Sequence, residues 1–214
     1  CDMLILDDGF QYQRMKHRHE VVLVDNTNPF GNGHMLPRGI LREPARNIRR
    51  ANFIFITKSD GNSEALRRQI RELNPRAEIT ECCHRSRFFK EVETGKRMEL
   101  EEIKGRQVLV MSGIAAPGGF ERSIRNMGAK VLVCRRFVDH HRYRRGEILD
   151  VIDQAANLGA EMILTTEKDA VRLPRIENAK VPIYYMRMDI QILKGHDNFR
   201  DCVDRICFNE SSKK

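Results

Sequence analysis

Short apolar runs alternate with segments of helical periodicity along most of the chain. The runs that predict strands are Met3 to Leu6, Val21 to Val24, Phe53 to Thr57, Gln107 to Met111, Val131 to Cys134, Met162 to Thr165 and Ile183 to Met186. Four segments predict helices. They are Ser63 to Leu73, a segment that ends at Met127 and is closed by Gly128, Glu147 to Leu158 closed by Gly159, and Phe199 to Ile206. This alternation is typical of an α/β protein with a mostly parallel sheet.

The alternation is interrupted once, near the middle of the chain. Phe88 to Val92 and Arg97 to Leu100 flank a Thr94-Gly95 turn and predict a two-stranded hairpin. We therefore predict a first domain over 1–77, a two-stranded linker over 78–104 and a second domain over 105–214. The polar tail from Asn209 to Lys214 is expected to fray.

Composition narrows the class of partner. The 214 residues include 38 Lys and Arg against 30 Asp and Glu, so the net charge of +8 predicts an anionic partner such as nucleic acid, acidic lipid or nucleotide phosphates. No apolar run approaches the ~20 residues that span a bilayer. The six cysteines form no CxxC pair, which predicts reduced thiols in a cytosolic compartment rather than disulfides or zinc ligands. Because Cys1 leads straight into an apolar run, the chain is expected to be a fragment.

Two acids follow the first predicted strand directly. Asp7 and Asp8 take the position of the Walker B acid in phosphate-loop enzymes, where a carboxylate helps to hold magnesium on nucleotide phosphates. The alternative is a solvated turn at a strand end. The companion motif GxxxxGK[ST] is absent from these residues. Gly113 to Gly118 has the glycine spacing alone, without the lysine or the hydroxyl, and predicts a turn entering a helix or an anion-binding helix N-terminus.

A long loop, Asn28 to Pro44, contains three glycines and three prolines, and loops of this length are usually functional. Near its end, Arg42 offers a guanidinium to a phosphate, and Glu43 offers a carboxylate to a hydroxyl or to a metal shell. The alternative is that these two neighbours form a local ion pair.

Histidines and a lysine supply the remaining candidate chemistry. Asp139 beside His140 and His141 can hold an imidazole in one tautomer and favours a general base, with one histidine acting and the other packing or facing solvent. The alternative to a general base is a metal site, although no cluster of ligands at suitable spacing completes one. His17 and His19 read as part of a solvated basic face.

The segment Thr165 to Asp169 begins where a strand ends. Thr166 is predicted to cap a short helix, with Asp169 at the capping-box position, and Lys168 is a candidate nucleotide contact.

Five motifs taken together resemble the lipid A 4'-kinase (tetraacyldisaccharide 4'-kinase) family. In chain order across residues 7 to 173 they are DDGFQ, NPFGNGHMLPRGILREP, MSGIAAPGGF, FVDHHRY and TTEKDAVRL. The resemblance implies the remainder of a phosphate-loop kinase domain, a two-stranded linker and a smaller Rossmann-like domain, with the active site between the domains. It also implies ATP and Mg²⁺ as cofactors, a lipid A precursor glycolipid as partner, and a peripheral location on the cytoplasmic face of the inner membrane.

The resemblance extends to individual residues. Asp7 and Asp8 match the family's magnesium-linked acids, Gln11 lies in its substrate-facing turn, and His140 matches the histidine of its catalytic dyad. Arg42 and Glu43 match its LREP loop. The dyad's aspartate and the Walker A loop lie before Cys1 in the family pattern.

Three positions depart from the family pattern. Tyr12 stands where the family usually has histidine, so it keeps a hydrogen-bonding tip but loses a titratable ring. Arg18 replaces an aspartate and reverses its charge, and Ile40 replaces the proline before the LREP loop.

The activity implied is phosphoryl transfer from ATP to the 4'-hydroxyl of tetraacyldisaccharide 1-phosphate. His140 would accept the hydroxyl proton, and this chain alone is expected to be inactive without the phosphate loop. The alternatives are a basic nucleic-acid-binding protein or a non-catalytic α/β protein. Aromatic residues make up only 7% of the chain and no RNP-like, KH or zinc-finger pattern is present, so nucleic acid is not the expected partner.

Overall fold

A computed structural model describes residues 3–15 and 18–208. The chain forms two compact units. The first comprises the described residues as far as His84 together with those from Ile190 onward, and the second runs from Arg85 to Asp189. The predicted division into two domains and a linker stays a prediction.

The first unit is built on three parallel strands. They are β1 (Val21–Asp25), β2 (Phe53–Thr57) and the first part of β3 (Glu78–Glu91), with Val21 level with Phe53 and Phe53 level with Glu78. Helix α1 (Glu64–Leu73) lies between β2 and β3 in sequence and buries Leu66 and Ile70 in the apolar core beneath the strands. The predicted strands at Val21 and Phe53 and the helix beginning after Ser63 are therefore confirmed.

The predicted strand from Met3 to Leu6 is wrong. These four apolar residues are irregular and exposed, with Ile5 at 82% of its full accessibility. An apolar run becomes a buried strand only when neighbouring strands take up its backbone hydrogen bonds and other elements cover its side chains. Among the described residues no strand pairs with this run.

The segment after Ile190 packs with the first unit, whereas the sequence placed it in the second domain. Strand β8 (Ile183–Lys194) leads into helix α5 (His196–Phe208), and Phe199 of that helix contacts the rings of Phe53 and Phe55 edge-on. The hydroxyl of Thr80 donates to the Gly195 carbonyl at 2.8 Å. Helix α5 thus packs on β2 through aromatic contacts, which the local sequence pattern of the helix does not reveal.

The second unit is a parallel sheet with helices. The strands lie in the order first part of β8, β7 (Met162–Thr166), β5 (Gln107–Ser112) and β6 (Lys130–Arg136). The helices are α2 (Pro117–Asn126), α3 (Arg145–Asn157) and the short α4 (Glu167–Ala170). Two apolar clusters sit against the sheet, one including Phe120 and Ile124 of α2 and the other Ile148 and Ile152 of α3. The mixed α/β fold with a mostly parallel sheet is confirmed.

The predicted hairpin is present but is part of a longer strand. Strand β4 (Arg97–Met98) pairs antiparallel with the end of β3, with Phe89 opposite Met98. Strand β3 itself begins at Glu78, because its first residues pair with β2. The predicted fraying tail lies outside the described residues.

Two further observations concern the cysteines and the helices. The five described cysteines are free thiols, namely Cys82, Cys83, Cys134, Cys202 and Cys207. Within residues 3–15 and 18–208, no helix is long and apolar enough to cross a membrane.

Candidate active site

The acidic turn lies at the start of the first unit. Asp7 and Asp8 form a tight turn before a single 3-10 turn at Gly9–Gln11, and Asp8 adopts the left-handed conformation with φ of 55°. Aspartate tolerates this conformation better than most residues, because its short polar side chain can bond locally. Both carboxylates are exposed. The strand predicted to precede this turn is absent, so the two acids occupy a turn rather than the end of a sheet strand.

The turn is joined to the long loop by one ion pair. Arg42 donates through Nη1 to Oδ2 of Asp8, although 34 residues separate them in sequence. Both side chains are more than half exposed. An exposed pair adds little to stability, so its consequence is mainly positional: a guanidinium and a carboxylate that the sequence nominated independently lie side by side.

The second loop residue, Glu43, is held differently. Its Oε2 accepts hydrogen bonds from Asn47 at 2.7 Å and from Arg50 at 2.8 Å. Partial burial disfavours the charged carboxylate, but these two hydrogen bonds and the nearby positive charges outweigh it and lower the pKa of Glu43. The alternative of a local Arg42–Glu43 ion pair is wrong, because each residue pairs elsewhere.

Arg50 completes this cluster, and sequence reasoning did not nominate it. Its Nη2 also donates to the Phe10 carbonyl at 3.1 Å, and its guanidinium stacks over the Phe10 ring at 4.3 Å. Arg50 thereby connects the DDGFQ turn with Glu43. The sequence signal was its place in a segment rich in arginine, which the structure shows to be the Ala45–Arg50 3-10 helix.

Three other candidate residues of the first unit are Gln11, Tyr12 and Arg18. Gln11 and Tyr12 are exposed, and neither side chain has a hydrogen-bond partner among the described residues. Arg18, which reverses the family's charge, pairs with Glu20, and its positive charge contributes to the lowered pKa of Glu43. The arginine is therefore incorporated in a local charge network. His17 lies outside the described residues.

In the second unit, His140 lies in an exposed turn after β6. Its backbone is left-handed, with φ of 58°, and its side chain is 79% exposed. The turn is held by the His140 amide, which donates to the Gly113 carbonyl at 3.2 Å and to Oδ1 of Asp139 at 3.0 Å. The ring and the remaining carboxylate oxygen are 3.8 Å apart, too far for a hydrogen bond.

The ring of His140 instead contacts Arg172. An Nη2–H group of Arg172 donates to Nδ1 of His140 at 3.1 Å. A guanidinium only donates, so Nδ1 is the acceptor and the proton of the neutral ring is on Nε2. The expectation that Asp139 holds the tautomer is wrong: the partner is a residue 32 positions later, within the TTEKDAVRL motif.

The neighbouring histidine packs, as predicted for one of the two. The His141 ring lies 4.9 Å from the Phe137 ring and 5.0 Å from the Tyr143 ring. Its Nε2 is within 3.1 Å of the Glu147 carboxylate, which also accepts the Arg144 amide at 2.8 Å. The Arg144 amide and His141 together lower the pKa of Glu147.

A buried carboxylate organises the same end of the second unit. Asp169 is fully buried and accepts from the Gly113 amide at 3.1 Å, the Tyr143 hydroxyl at 3.0 Å and the Thr166 hydroxyl at 2.7 Å. The Asp169 amide donates back to Thr166 Oγ1, which confirms the predicted cap. Burial, followed by the charge of Asp169, raises the pKa of Tyr143 well above its ordinary value.

This network explains the first glycine of the glycine-rich motif. A Cβ on Gly113 would lie 2.7 Å from the Tyr143 hydroxyl, so the position requires glycine for close packing. The following residues enter α2 with Pro117 at its first turn, which favours the structural turn over the anion site. Lys168 on α4 is exposed, with no ion-pair partner among the described residues. No described group of three or more His, Cys, Asp or Glu residues is arranged to hold a metal ion.

Comparisons with known proteins show which family this chain resembles. The profile described as tetraacyldisaccharide-1-P 4'-kinase matches residues 1–207. The tetraacyldisaccharide 4'-kinase of Anaeromyxobacter sp. (strain K) is 39% identical over 210 residues, covering 95% of this chain and 55% of that protein. The protein of the same name from Halothermothrix orenii is 32% identical over 213 residues, covering 91% of this chain and 55% of the relative.

A solved structure agrees on the fold. The crystal structure of LpxK from Aquifex aeolicus, titled as an "apo" form in complex with ATP, superposes with a TM-score of 0.64 at 21% identity. The match covers 94% of this chain and 56% of that one. This chain thus spans about 55% of the length of the curated relatives it matches. From the profile match over nearly all of its residues, the chain belongs to the tetraacyldisaccharide-1-P 4'-kinase family.

Proposed function

We propose that the complete protein containing this chain transfers the γ-phosphoryl group of ATP to the 4'-hydroxyl of a tetraacyldisaccharide 1-phosphate. The observation that carries the proposal is the Asp8–Arg42 ion pair, which brings the DDGFQ and LREP motifs together. Phosphoryl transfer needs oxygen ligands for a divalent cation beside cationic donors for phosphate oxygens, and this pair supplies one of each.

The residues of the acidic turn suit Mg²⁺. This ion is commonly bound by one or two carboxylates together with substrate phosphates and water, so a cluster of three protein ligands is not required. Asp7 and Asp8 offer two exposed carboxylates in succession. When bound, the ion would neutralise charge on the nucleotide phosphates. Asp8 has the additional role of orienting Arg42 toward the same phosphates.

The other nominated residues take supporting roles in this proposal. His140 accepts the proton of the sugar hydroxyl, and Asp139 holds the backbone of its turn. Lys168, exposed on α4, contacts the nucleotide, while Gln11 and Tyr12 contact the sugar substrate. Glu43 is a positioning residue, because Oε2 of its carboxylate already accepts hydrogen bonds from Asn47 and Arg50.

The proposed location follows from the two substrates. A tetraacylated disaccharide is membrane-bound and ATP is supplied from the cytoplasm, so in this proposal the enzyme works as a peripheral protein on the cytoplasmic face of the inner membrane. The net charge of +8 favours attachment to an anionic surface, which weakens as salt is added.

The test uses radiolabelled ATP and tetraacyldisaccharide 1-phosphate, with the complete protein and the 214-residue chain assayed in parallel. We expect Mg²⁺-dependent label in the lipid product with the complete protein only, because GxxxxGK[ST] is absent from these 214 residues. No transfer by a folded complete protein would refute the function. Mg²⁺-dependent turnover by the 214-residue chain would refute the expectation that it is inactive alone.

A further inference from the structure

The first unit contains a cavity of about 370 Å³ that none of the motifs accounts for. It lies at the amino ends of β2 and β3, where Asn52 precedes β2 and Arg76 precedes β3. Open parallel sheets usually bind their ligands at the opposite, carboxyl edge. The cavity therefore lies at the opposite edge of the strands from the position at which such sheets usually place a nucleotide, although Arg50 of its lining also bonds Glu43.

The lining of the cavity is strongly basic. The lining contains four arginines and one glutamate, and His19 adds an imidazole. Arg205 pairs with that glutamate, Glu78, and Arg50 pairs with Glu43. The four arginines are Arg49, Arg50, Arg76 and Arg205.

Two of these arginines have no acidic partner among the residues that the structure describes. The guanidinium groups of Arg49 and Arg76 form no ion pair or side-chain hydrogen bond with the described residues. On an ordinary surface such groups are simply hydrated. Here they border a concave site, where their fields add and low-dielectric walls strengthen the attraction for an anion.

A buried asparagine fixes the backbone on which both arginines stand. Asn74 is 3% exposed, and its Nδ2 donates to the Ile48 and Ala51 carbonyls, both at 2.9 Å. Its Oδ1 accepts the amide of Arg76 at 3.2 Å. Arg49 lies between the two bonded carbonyls in sequence, so one side chain ties both arginine-bearing segments together. Ordering the binding groups in advance reduces the entropy lost on binding.

A neutral donor is available beside the charges. Asn52 uses its Oδ1 to accept the Glu20 amide at 2.8 Å, and its Nδ2 has no partner among the described residues. An amide N–H group is a hydrogen-bond donor, the type of group that phosphate oxygens require.

We propose that this cavity binds the phosphate group of a small phosphorylated molecule. The volume lies within the range of about 300–1,000 Å³ found for small-molecule sites and accommodates more than a phosphate alone. Guanidinium forks match the geometry of phosphate oxygens, and the single acid of the lining is already paired. The site is additional to the phosphoryl-transfer residues and does not depend on the proposed kinase activity.

The test measures binding to the 214-residue chain by titration calorimetry at low ionic strength. The soluble probes are inorganic phosphate and glucose 1-phosphate, and the lipid probe is a phosphatidylcholine vesicle with or without phosphatidic acid. The pocket variant is the double substitution Arg49→Gln with Arg76→Gln. The matched control is Arg122→Gln with Arg135→Gln, which removes the same charge from two exposed arginines of the second unit.

We expect saturable binding that the pocket variant weakens by about tenfold or more, while the control stays within about twofold. Binding of glucose 1-phosphate would identify a soluble source of the phosphate group, and binding only to vesicles with phosphatidic acid would identify a lipid headgroup. The proposal is overturned if no probe binds saturably, or if the control variant weakens binding as much as the pocket variant. Circular dichroism melts of both variants establish that each is folded.

Discussion

The Arg172 guanidinium donates a hydrogen bond to Nδ1 of His140 at 3.1 Å, although 32 residues separate the two in sequence. The bond occupies the only lone pair of a neutral imidazole whose proton is on Nε2. For His140 to accept a substrate proton, Arg172 must therefore release Nδ1 or the ring must turn. This relationship makes Arg172 a positioning residue for the proposed base.

The first prediction concerns that tautomer. In the 214-residue chain at a pH where His140 is neutral, nitrogen NMR shifts should show Nδ1 unprotonated and Nε2 protonated. Arg172→Ala should allow both tautomers, because the donor that selects one is gone. His141, which contacts Glu147 instead, serves as the internal control and should not change. An unaltered His140 spectrum in the variant would show that the hydrogen bond does not select the tautomer.

The second prediction separates the two histidines by catalysis in the complete protein. His140→Ala should lower kcat by about 10² to 10⁴, the range typical of a lost general base, with little change in the KM for ATP. His141→Ala should cost less than about tenfold, because that ring packs against Phe137 and Tyr143. Thermal melts of both variants identify any loss due to unfolding. The assignment is wrong if a folded His141 variant is the more damaged enzyme.

The third prediction concerns the pair between the two motifs of the first unit. Arg42→Gln should lower kcat/KM of the complete protein at least tenfold, because a phosphate ligand is lost. The melting temperature should change by less than about 2 °C, since the pair with Asp8 is exposed. Arg97→Gln, which breaks the comparably exposed pair with Glu99, is the control and should leave activity unchanged. A large loss of stability without loss of activity would contradict the proposed role.

The fourth prediction concerns the buried carboxylate of the second unit. Tyr143→Phe removes the hydroxyl that donates to Asp169 at 3.0 Å and should lower the free energy of unfolding by about 1–3 kcal/mol. Urea unfolding of the 214-residue chain measures the change. Tyr12→Phe removes an exposed hydroxyl and is the matched control, for which we expect less than about 0.5 kcal/mol. Equal effects at both positions would argue against the network as a stabilising unit.

The fifth prediction uses the pH dependence of an ion pair at the end of β1. Partial burial opposes ionisation of Asp25, but hydrogen bonds from Lys58 and Thr27 outweigh it and lower the pKa from 3.8 to about 2. A lowered carboxyl pKa stabilises the fold above the unfolded value, and this stability is lost as the pH falls through the folded value. Lys58→Gln should therefore destabilise the chain at neutral pH, and its difference from the parent should shrink between about pH 4 and pH 2.

The size of this effect is modest because the pair is partly solvated. We expect about 0.5–1 kcal/mol at neutral pH, measured by urea unfolding across the pH range. Lys180→Gln, which breaks the more exposed pair with Asp153, should have a smaller effect. A difference that stays constant down to pH 2 would show that Lys58 acts without Asp25.

The sequence by itself determined the elements whose signals are local. The strand at Phe53–Thr57 matches residue for residue, because a short apolar run bounded by polar residues has few other solutions. The Thr166 cap, the turns at Gly128 and Gly159 and the Thr94–Gly95 hairpin likewise depend on neighbours within a few residues. The family was equally accessible, because five motifs in a fixed order are specific even when each alone is weak.

Only the tertiary structure decided which of these residues meet. Arg42 joins Asp8 rather than its neighbour Glu43, and Arg172 rather than Asp139 bonds the His140 ring. Met3 to Leu6 reads as a strand in sequence but is exposed, since a strand requires partners that a local pattern does not encode. Hydrogen bonds and ion pairs between distant segments depend on how the backbone is folded in space, whereas local periodicity constrains only neighbouring residues.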